Sequence, residues 1–469
     1  MELFGTDGVR GIPGEPPLTA ESVERLAEAA ARELCREGAA GPVLLARDTR
    51  ASGVMLTRSL ARGFARAGCR PLIDLGVLPT PGLARLTASR RAAFGVVVSA
   101  SHNPPEFNGI KFFDASGCKL DPKIEQRIEK DLTNGNPHPT LSFSRRGNKK
   151  LPLLEKERMA GGQVRIAVAD TSAVQEYLDF LISTFPADLD LSGVRIVADA
   201  SQGAASRFVG PLLRRLGADV RVIGDKPNGR NINTGFGALA TGAMQKEVKR
   251  CRAHCGFSLD GDADRVLFAD ETGRLLSGDA LIGMAAAHHL ERGTLGKPKV
   301  VLTVMSNAGI VRYLNDKGVR TVLVPVGDRN VSHAMDAEGL ALGGENSGHI
   351  IFSRFSRAGD GLLTALQVLA ILRASGKPLS WFRRAVPVYP SELVNLPVKK
   401  KLALDSSAAI RAAVARGEKA VAGGRVYLRY SGTEPLLRIL VEGPKGAAVR
   451  RVARELTAVC RKELNDHAN

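Results

Sequence analysis

The sequence predicts an α/β protein of several domains. Short apolar runs of strand length alternate with helical stretches, and this alternation recurs in three successive regions without any residue-level repeat. Beyond Pro390 the balance shifts toward strands. The 469 residues also exceed what one core organises, since domains run to ~100–200 residues, so three or four domains are expected.

In the first region Thr19 is placed to cap a helix, with Leu18 stapled onto Val23. Val23, Leu26, Ala30 and Leu34 recur at helical spacing, and Gly38 is the expected stop. Strands are expected at 43–46, 71–75 and 94–98, with a helix over 54–67 closed by Gly68. The second region offers strands at 194–197 and 220–222 around a helix over 204–216. The third offers helices over 280–290, 308–314 and 361–372 with strands at 300–302 and 319–324. Apolar runs separated by helices imply parallel sheets covered on both faces. The last region reads as strands at 393–398, 425–429 and 437–441 with a helix over 447–464, a smaller α+β unit. Residues 144–165 carry seven basic residues against two acidic ones and read as a solvated linker with no assigned role.

Apolar residues at 44% and charged residues at 24% exclude a disordered or fibrous chain. The first eleven residues hold no apolar signal region and no run reaches the ~18 apolar residues of a membrane span, so a cytoplasmic location and no membrane partner are expected. Six scattered cysteines read as reduced thiols; Cys251 and Cys255 with His254 lack the second ligand pair of a zinc site. The net charge of +18 attracts anions, whether phosphorylated metabolites or nucleic acid. With 5% aromatic residues and one Trp, the composition argues against platforms for stacking single strands and against a nucleic-acid partner.

Three motifs carry chemistry. In Asp260-Gly261-Asp262-Ala263-Asp264-Arg265 three carboxylates alternate with small residues, a like-charge cluster that a divalent cation would neutralise. In a straight strand the outer two would stand about 13 Å apart at ~3.3 Å per residue, so the segment must curl. An EF-hand reading fails because Arg265 stands where the sharp turn needs Gly, and the flanks read as strands. A phosphatase-type Asp-x-Asp with Asp260 as nucleophile stays open.

The second motif is the apolar run 96–98 that ends in Ser99-Ala100-Ser101-His102-Asn103-Pro104. Sites in α/β sheets lie beyond the carboxyl ends of strands, which makes Ser101 a candidate for chemistry and leaves His102 a structural hydrogen-bonder. A phosphoryl group on Ser101 would let a magnesium ion held by the three aspartates bridge to it. The third is Arg429-Tyr430-Ser431-Gly432-Thr433-Glu434, a strand end suited to a phosphate dianion. Gly344-Glu345-Asn346-Ser347-Gly348-His349 is similar in type, with Glu345 and Ser347 suited to sugar hydroxyls, and lacks the ending of a P-loop.

Taken in order with Phe4-Gly5-Thr6-Asp7-Gly8-Val9-Arg10-Gly11, Asn108-Gly109-Ile110-Lys111-Phe112-Phe113 and Gly327-Asp328-Arg329, these motifs resemble the α-D-phosphohexomutase family across nearly the whole chain. The resemblance is strongest to its amino-sugar branch. It implies four domains around a central cleft, three α/β/α domains with mixed sheets and a smaller C-terminal α+β domain. The boundaries expected are 1–165 with a phosphoserine loop, 166–273 with a metal-binding loop, 274–389 with a sugar-binding loop and 390–469 with a phosphate-binding loop.

It further implies that Ser101 is the phosphoserine and binds Mg²⁺ together with Asp260, Asp262 and Asp264. Arg10, Lys111 and His349 would assist proton transfer and charge stabilisation, and Arg265 would flank the reacting site. Glu345 and Ser347 would hold sugar hydroxyls, while Arg429, Ser431, Gly432, Thr433 and Arg438 would grip the non-reacting phosphate. The implied reaction interconverts glucosamine 6-phosphate and glucosamine 1-phosphate through glucosamine 1,6-bisphosphate in a monomer or homodimer. The alternatives are a mutase of mannose or glucose phosphates and, remotely, a basic nucleic-acid-binding protein. Asn346, Pro325 and Asn330 depart from the residues usual in the amino-sugar branch.

Overall fold

The computed structural model describes the chain except residues 1–2, 6, 36–40, 70, 135–169, 400, 432–434 and 467–469. The expected helix stop at Gly38 and the basic stretch 144–165 lie outside the described residues. The chain forms two compact units, Met1–Leu275 with Arg354–Ala374, and Leu276–Ser353 with Ser375–Asn469.

The first unit holds two sheets. One contains β1 (Val9–Gly11), β2 (Val43–Arg47), β3 (Leu72–Val77), β4 (Phe94–Val98) and β5 (Asn108–Phe113) in the order β1-β5-β4-β2-β3. The other contains β6 (Arg195–Asp199), β7 (Asp219–Ile223), β8 (Cys255–Leu259), β9 (Val266–Asp270) and β10 (Leu275–Leu276) in the order β10-β9-β8-β6-β7. In the second unit β11 (Lys299–Thr303), β12 (Arg320–Val324), β13 (Leu342–Gly344) and β14 (Ile350–Phe352) follow the order β12-β11-β13-β14. A separate antiparallel sheet joins β15 (Ser391–Pro397), β16 (Arg425–Tyr430) and β17 (Leu436–Glu442) with β17 in the middle.

The expected parallel sheets are parallel only in part. β3, β2 and β4 run parallel, whereas β5 returns antiparallel to β4 and β1 pairs antiparallel with β5. β9 likewise returns antiparallel to β8, and β14 to β13. Loop length is the reason. Residues 99–107, 260–265 and 345–349 are all that separate these pairs, too few for the crossover of a dozen or more residues that parallel strands need. The three sheets therefore share a four-strand core topology, and each places its antiparallel return at the carboxyl end of the last of its three parallel strands. Those three returns contain Ser101, the three aspartates, and Glu345 with Ser347 and His349.

The helix at Ala20–Leu34 forms as its pattern predicts: Thr19 accepts the Ser22 N–H at 3.1 Å, and Leu18, Val23, Leu26 and Ala30 are buried in one core with β2 and β4. Each fully buried aliphatic or aromatic side chain there contributes ~1.5–3 kcal/mol. The expected helix over 204–216 is instead a 3₁₀ turn, Ala204–Arg207, and an α-helix, Val209–Arg215. Pro211 explains the break, because its ring excludes a continuous α-helical hydrogen bond to Arg207. The helix Gly361–Ser375 is buried for most of its length and belongs to the first unit up to Ala374. Tyr177 donates to Asp360 at 2.7 Å and Gln367 to the Thr184 carbonyl at 3.0 Å. In the C-terminal domain the helix Gly446–Arg461 ends in a π turn, and the helix Ala408–Ala420, unheralded in the sequence pattern, shares the core of Ile439, Val441, Val452 and Leu456.

Candidate active site

In the first unit, the loops after β4 and β8 meet. The hydroxyl of Ser101 donates to Asp260 Oδ2 at 2.6 Å across 159 residues of sequence. Asp260, Asp262 and Asp264 each offer a carboxylate oxygen within 4.8 Å of the others, so the curl that the spacing demanded is present. It is made by a tight hairpin loop in which the Ala263 N–H donates to the Asp260 carbonyl at 3.1 Å and Ala263 takes a left-handed φ of 60°. Gly261 permits the meeting of the loops, since a Cβ there would stand 2.6 Å from the Ser101 carbonyl oxygen.

Ser101 itself has a φ of 52°, a conformation that non-glycine residues hold only when their surroundings enforce it. Arg50, buried just after β2, provides that enforcement. One terminal nitrogen donates to the carbonyls of Ser101 at 3.0 Å and Asn103 at 2.8 Å, and the other to Phe107 at 2.8 Å and to Pro104. Asp48 fixes the guanidinium through Nε at 2.9 Å and accepts the Ser99 hydroxyl at 2.7 Å, which in turn receives the Ser101 N–H at 2.9 Å. From the second domain Asn233 adds donors to the Ser101 and Asn103 carbonyls at 2.9 and 2.8 Å.

The charges are paired unevenly. Asp262 Oδ2 accepts from Lys111 at 2.9 Å and Thr80 at 2.7 Å. Burial works against ionisation of Asp262, but Lys111 and these two donors hold its carboxyl well below the usual range. Lys111, 2% exposed, also contacts Asp7 at 2.9 Å; burial opposes its charge, yet the two carboxylates push its ammonium well above the usual lysine range. For Asp260, burial first, then repulsion from Asp264 and Asp262, outweighs Arg265 and the Ser101 hydroxyl and drives its carboxyl far upward. Asp262 Oδ1 and Asp264 Oδ1 are buried without a hydrogen-bond partner. Two buried carboxylate oxygens without hydrogen-bond partners, beside a carboxyl that burial and like-charge repulsion drive upward, are what a bound divalent cation would remedy, so the residues fit a metal.

Arg10, on β1, bonds Asp7 and reaches Asn103 Oδ1 at 3.3 Å. Arg265 approaches His102 Nδ1 at 3.3 Å, and the same nitrogen lies 3.4 Å from Ser101 Oγ. Burial, then Arg265 and Arg10, push the His102 imidazole down toward the neutral form. Ser101 is wholly buried, turned onto Asp260, while His102 beside it is partly exposed. Ser101, Asp260, Asp262, Asp264, Arg10, Lys111 and Arg265 are thus gathered in one unit. The sequence reading missed Asp7, Asp48, Arg50, Thr80 and Asn233. The signal for Asp48 and Arg50 was available, since they follow a buried strand just as Ser101 does.

In the second unit, Glu345 is held by the Gly327 N–H at 3.0 Å and buried, while Ser347 Oγ and His349 Nδ1 are buried atoms without a hydrogen-bond partner. His349 Nε2 faces Asp328 at 3.6 Å. Asn330 donates to the Pro325 and Val326 carbonyls at 3.3 and 3.1 Å, so two of the departures from the family pattern form one local turn. Arg429 and Arg438 stand directly opposite in register on β16 and β17, and Arg429 Nε is buried without a hydrogen-bond partner. Like charges opposite each other are unfavourable unless an anion lies between them. Ser431 is buried beside them in sequence, and Lys401 donates to its carbonyl at 2.6 Å. Gly432 and Thr433 lie outside the described residues.

Models of the four phosphoglucomutase/phosphomannomutase domains match in order: α/β/α domain I over residues 1–138, domain II over 175–273, domain III over 277–389 and the C-terminal domain over 393–459. The chain is 41% identical to a phosphoglucosamine mutase of Syntrophotalea carbinolica, covering 99% of this chain and 98% of the relative. It is 44% identical to a phosphoglucosamine mutase of Thiobacillus denitrificans, covering 96% and 95%. Among solved structures, a phosphoglucomutase/phosphomannomutase family protein of Burkholderia thailandensis shares the fold with a TM-score of 0.77 at 23% identity, covering 100% of this chain and 98% of that one.

Proposed function

Because the chain belongs to the phosphoglucomutase/phosphomannomutase family, we propose that it interconverts glucosamine 6-phosphate and glucosamine 1-phosphate through a phosphoserine at Ser101. The observation that carries this reading is the Ser101 hydroxyl 2.6 Å from Asp260, in a triad where Asp262 Oδ1 and Asp264 Oδ1 are buried without a hydrogen-bond partner. The choice of sugar is supported by relatives named phosphoglucosamine mutase at 41–44% identity over nearly the full chain, rather than by any residue contact.

Asp260, Asp262 and Asp264 with the Ser101 phosphate would hold Mg²⁺, which supplies positive charge against the transferring phosphoryl group. The hydroxyl oxygen of the sugar phosphate forms a bond to phosphorus as the bond from phosphorus to Ser101 Oγ breaks. The hydroxyl proton is transferred away and Ser101 Oγ ends protonated, so one half-reaction yields glucosamine 1,6-bisphosphate and free enzyme. The second half-reaction returns the other phosphate to Ser101. Lys111 and Arg10 are cationic and act by stabilising charge on the phosphoryl oxygens. By its place in the family motif, His349 is the group we assign as the proton acceptor. Glu345 and Ser347 orient sugar hydroxyls. Arg429 and Arg438, with Ser431, Gly432 and Thr433, grip the spectator phosphate, while Arg265 flanks the reacting one.

Intact-mass analysis tests the premise: the purified chain should carry substoichiometric or full phosphate at one site, and Ser101→Ala should remove it together with turnover. Retained turnover in that variant would refute the phosphoserine. Turnover of glucosamine, glucose and mannose phosphates, each with its bisphosphate, tests the sugar; a preference for mannose or glucose over glucosamine would overturn that choice.

A further inference from the structure

We propose that Cys35 and Cys69 form a peroxide-responsive disulfide site that staples the first α/β/α domain without closing down its chemistry. Cys35 directly follows the helix Ala20–Leu34 and Cys69 lies just beyond the helix Gly53–Arg66. Their sulfur atoms stand 2.8 Å apart, in direct contact and 34 residues apart in sequence. The backbone holds both in place: the Cys35 N–H donates to the Ala31 carbonyl at 2.8 Å and the Cys69 N–H to the Phe64 carbonyl at 3.0 Å. Both cysteines belong to the core between these helices and β2, so the sulfurs face each other within a packed structure rather than across a flexible surface. Among the described residues neither thiol joins a cluster of three metal-ligating groups.

The two thiols differ in a way that sets the order of events. Cys69 is 6% exposed, and burial together with the bond to Cys35 pushes its thiol up to about 12. Cys35 is partly exposed and meets a solvent oxidant first. With hydrogen peroxide or an organic hydroperoxide as oxidant, the Cys35 thiolate attacks a peroxide oxygen, the O–O bond breaks, and a sulfenic acid forms with loss of water or an alcohol. The Cys69 sulfur then attacks the Cys35 sulfur, the S–O bond breaks, and the proton of Cys69 leaves with the departing oxygen as water. Two thiols and one hydrogen peroxide thus give one disulfide and two waters, and with an organic hydroperoxide one alcohol and one water.

Position decides the consequence. Cys35 and Cys69 precede β2 and β3 and sit at the end where the parallel strands begin, whereas Ser101 follows the far end of β4. Five residues of strand at ~3.3 Å each separate the two ends by roughly 16 Å. The other cysteines offer no second pair of this kind: Cys255 and Cys460 are buried, with their thiols pushed up to about 12 and about 11, and no other sulfur-to-sulfur contact occurs among the described residues.

The test oxidises the full-length chain with hydrogen peroxide, blocks remaining thiols with iodoacetamide and maps peptides before and after reduction. The expected result is one reducible link between the peptides of Cys35 and Cys69, formed before Cys118 or Cys251 is modified. Turnover should stay within twofold, and the urea midpoint should rise, in a manner lost in Cys35→Ser. In Cys69→Ala the Cys35 sulfenic acid should persist or oxidise further, which keeps the test open if one serine variant folds poorly. Oxidation of Cys35 to sulfinic acid in the unmutated chain without a link to Cys69, or links to other cysteines instead, would overturn the proposal.

Discussion

Replacing Arg50 with lysine should slow turnover far more than it weakens substrate binding. The arginine spans four carbonyls of the Ser101 loop and the Asp48 carboxylate from one rigid fork. A lysine keeps the charge but offers three donors from one nitrogen, so at least two of those acceptors lose their bond. Hydrogen bonds from a charged group contribute ~1.5–3 kcal/mol each, so two lost bonds amount to roughly 3–6 kcal/mol before relaxation. Water and loop adjustment will recover part of this, and a net destabilisation of about 2–4 kcal/mol is expected. The remaining effect falls on geometry. Ser101 no longer has its left-handed backbone enforced, and a displacement on the order of 1 Å reduces turnover by about 10²-fold. Urea unfolding followed by circular dichroism measures the first effect. Steady-state kinetics on the folded protein measure the second, with kcat expected to fall ~100-fold and KM to change by less than about threefold. A folded Arg50→Lys enzyme with unaltered kcat would refute the idea that this guanidinium positions the serine. Ser99→Ala, which removes a single link of the same chain, should show the same split at smaller amplitude.

Gly261→Ala should cost about 1–3 kcal/mol of stability and lower kcat, because its Cβ would press on the Ser101 carbonyl at 2.6 Å and on Ile232 Cδ1 at 2.9 Å; wild-type kinetics would refute the close approach. Chelation by EDTA should abolish turnover and added Mg²⁺ restore it, while Asp264→Asn should bind less metal by atomic emission yet be more stable than the metal-free parent, since one like charge is gone. A metal-free parent equally stable to that variant would contradict the repulsion. Buried Asp199 and Asp279 are each pushed up to about 6 by burial, so between about pH 4 and pH 6 the folded chain binds more protons than the unfolded one. Stability should therefore fall as pH rises through that window, by at most roughly 3 kcal/mol per group at 1.36 kcal/mol per unit. Asp279→Asn keeps an acceptor for the Asn307 N–H, now 2.8 Å away, and should flatten part of that slope in urea midpoints from pH 4.5 to 7.5; an unchanged slope would show that Asp279 does not titrate there.

The parts of this protein that were legible in its sequence are those governed by local pattern. Apolar strands such as β2 and β4 and the helix Ala20–Leu34 follow from periodicity and one cap, and the aspartate loop had to curl because its charges would otherwise stand apart without a counter-ion. What stayed hidden depends on contacts made across long stretches of chain. β5 carries a buried face on both sides, so nothing in Asn108–Phe113 announces that it runs antiparallel; only the shortness of the preceding loop does. The Ala408–Ala420 helix was missed because Gly417 and scattered charges blur its apolar face, which closes only when Gly417 packs on Val452 and Val426. Arg50 and Asn233 were missed for a different reason. Their bonds go to backbone carbonyls, which have no side-chain signature, so sequence offers a charged residue and no hint of its target.

That distinction bears on why the three functional loops sit where they do. A parallel strand followed by an antiparallel return leaves a short loop at the carboxyl end of the sheet, the end that α/β folds leave uncovered by helices. Turns within the Ser101 loop satisfy the Ala100 and Pro104 carbonyls, and Arg50 and Asn233 supply donors to those of Ser101 and Asn103. Within these loops Ser101 and Ala263 hold left-handed backbone, and the Ser101 side chain turns onto Asp260. If this reasoning holds, lengthening the Ser101 loop by one glycine after Asn103 should relieve the left-handed strain and raise stability while turnover is lost. An insertion that leaves turnover intact would show that the serine is placed by its own side-chain contacts and not by the tightness of the return.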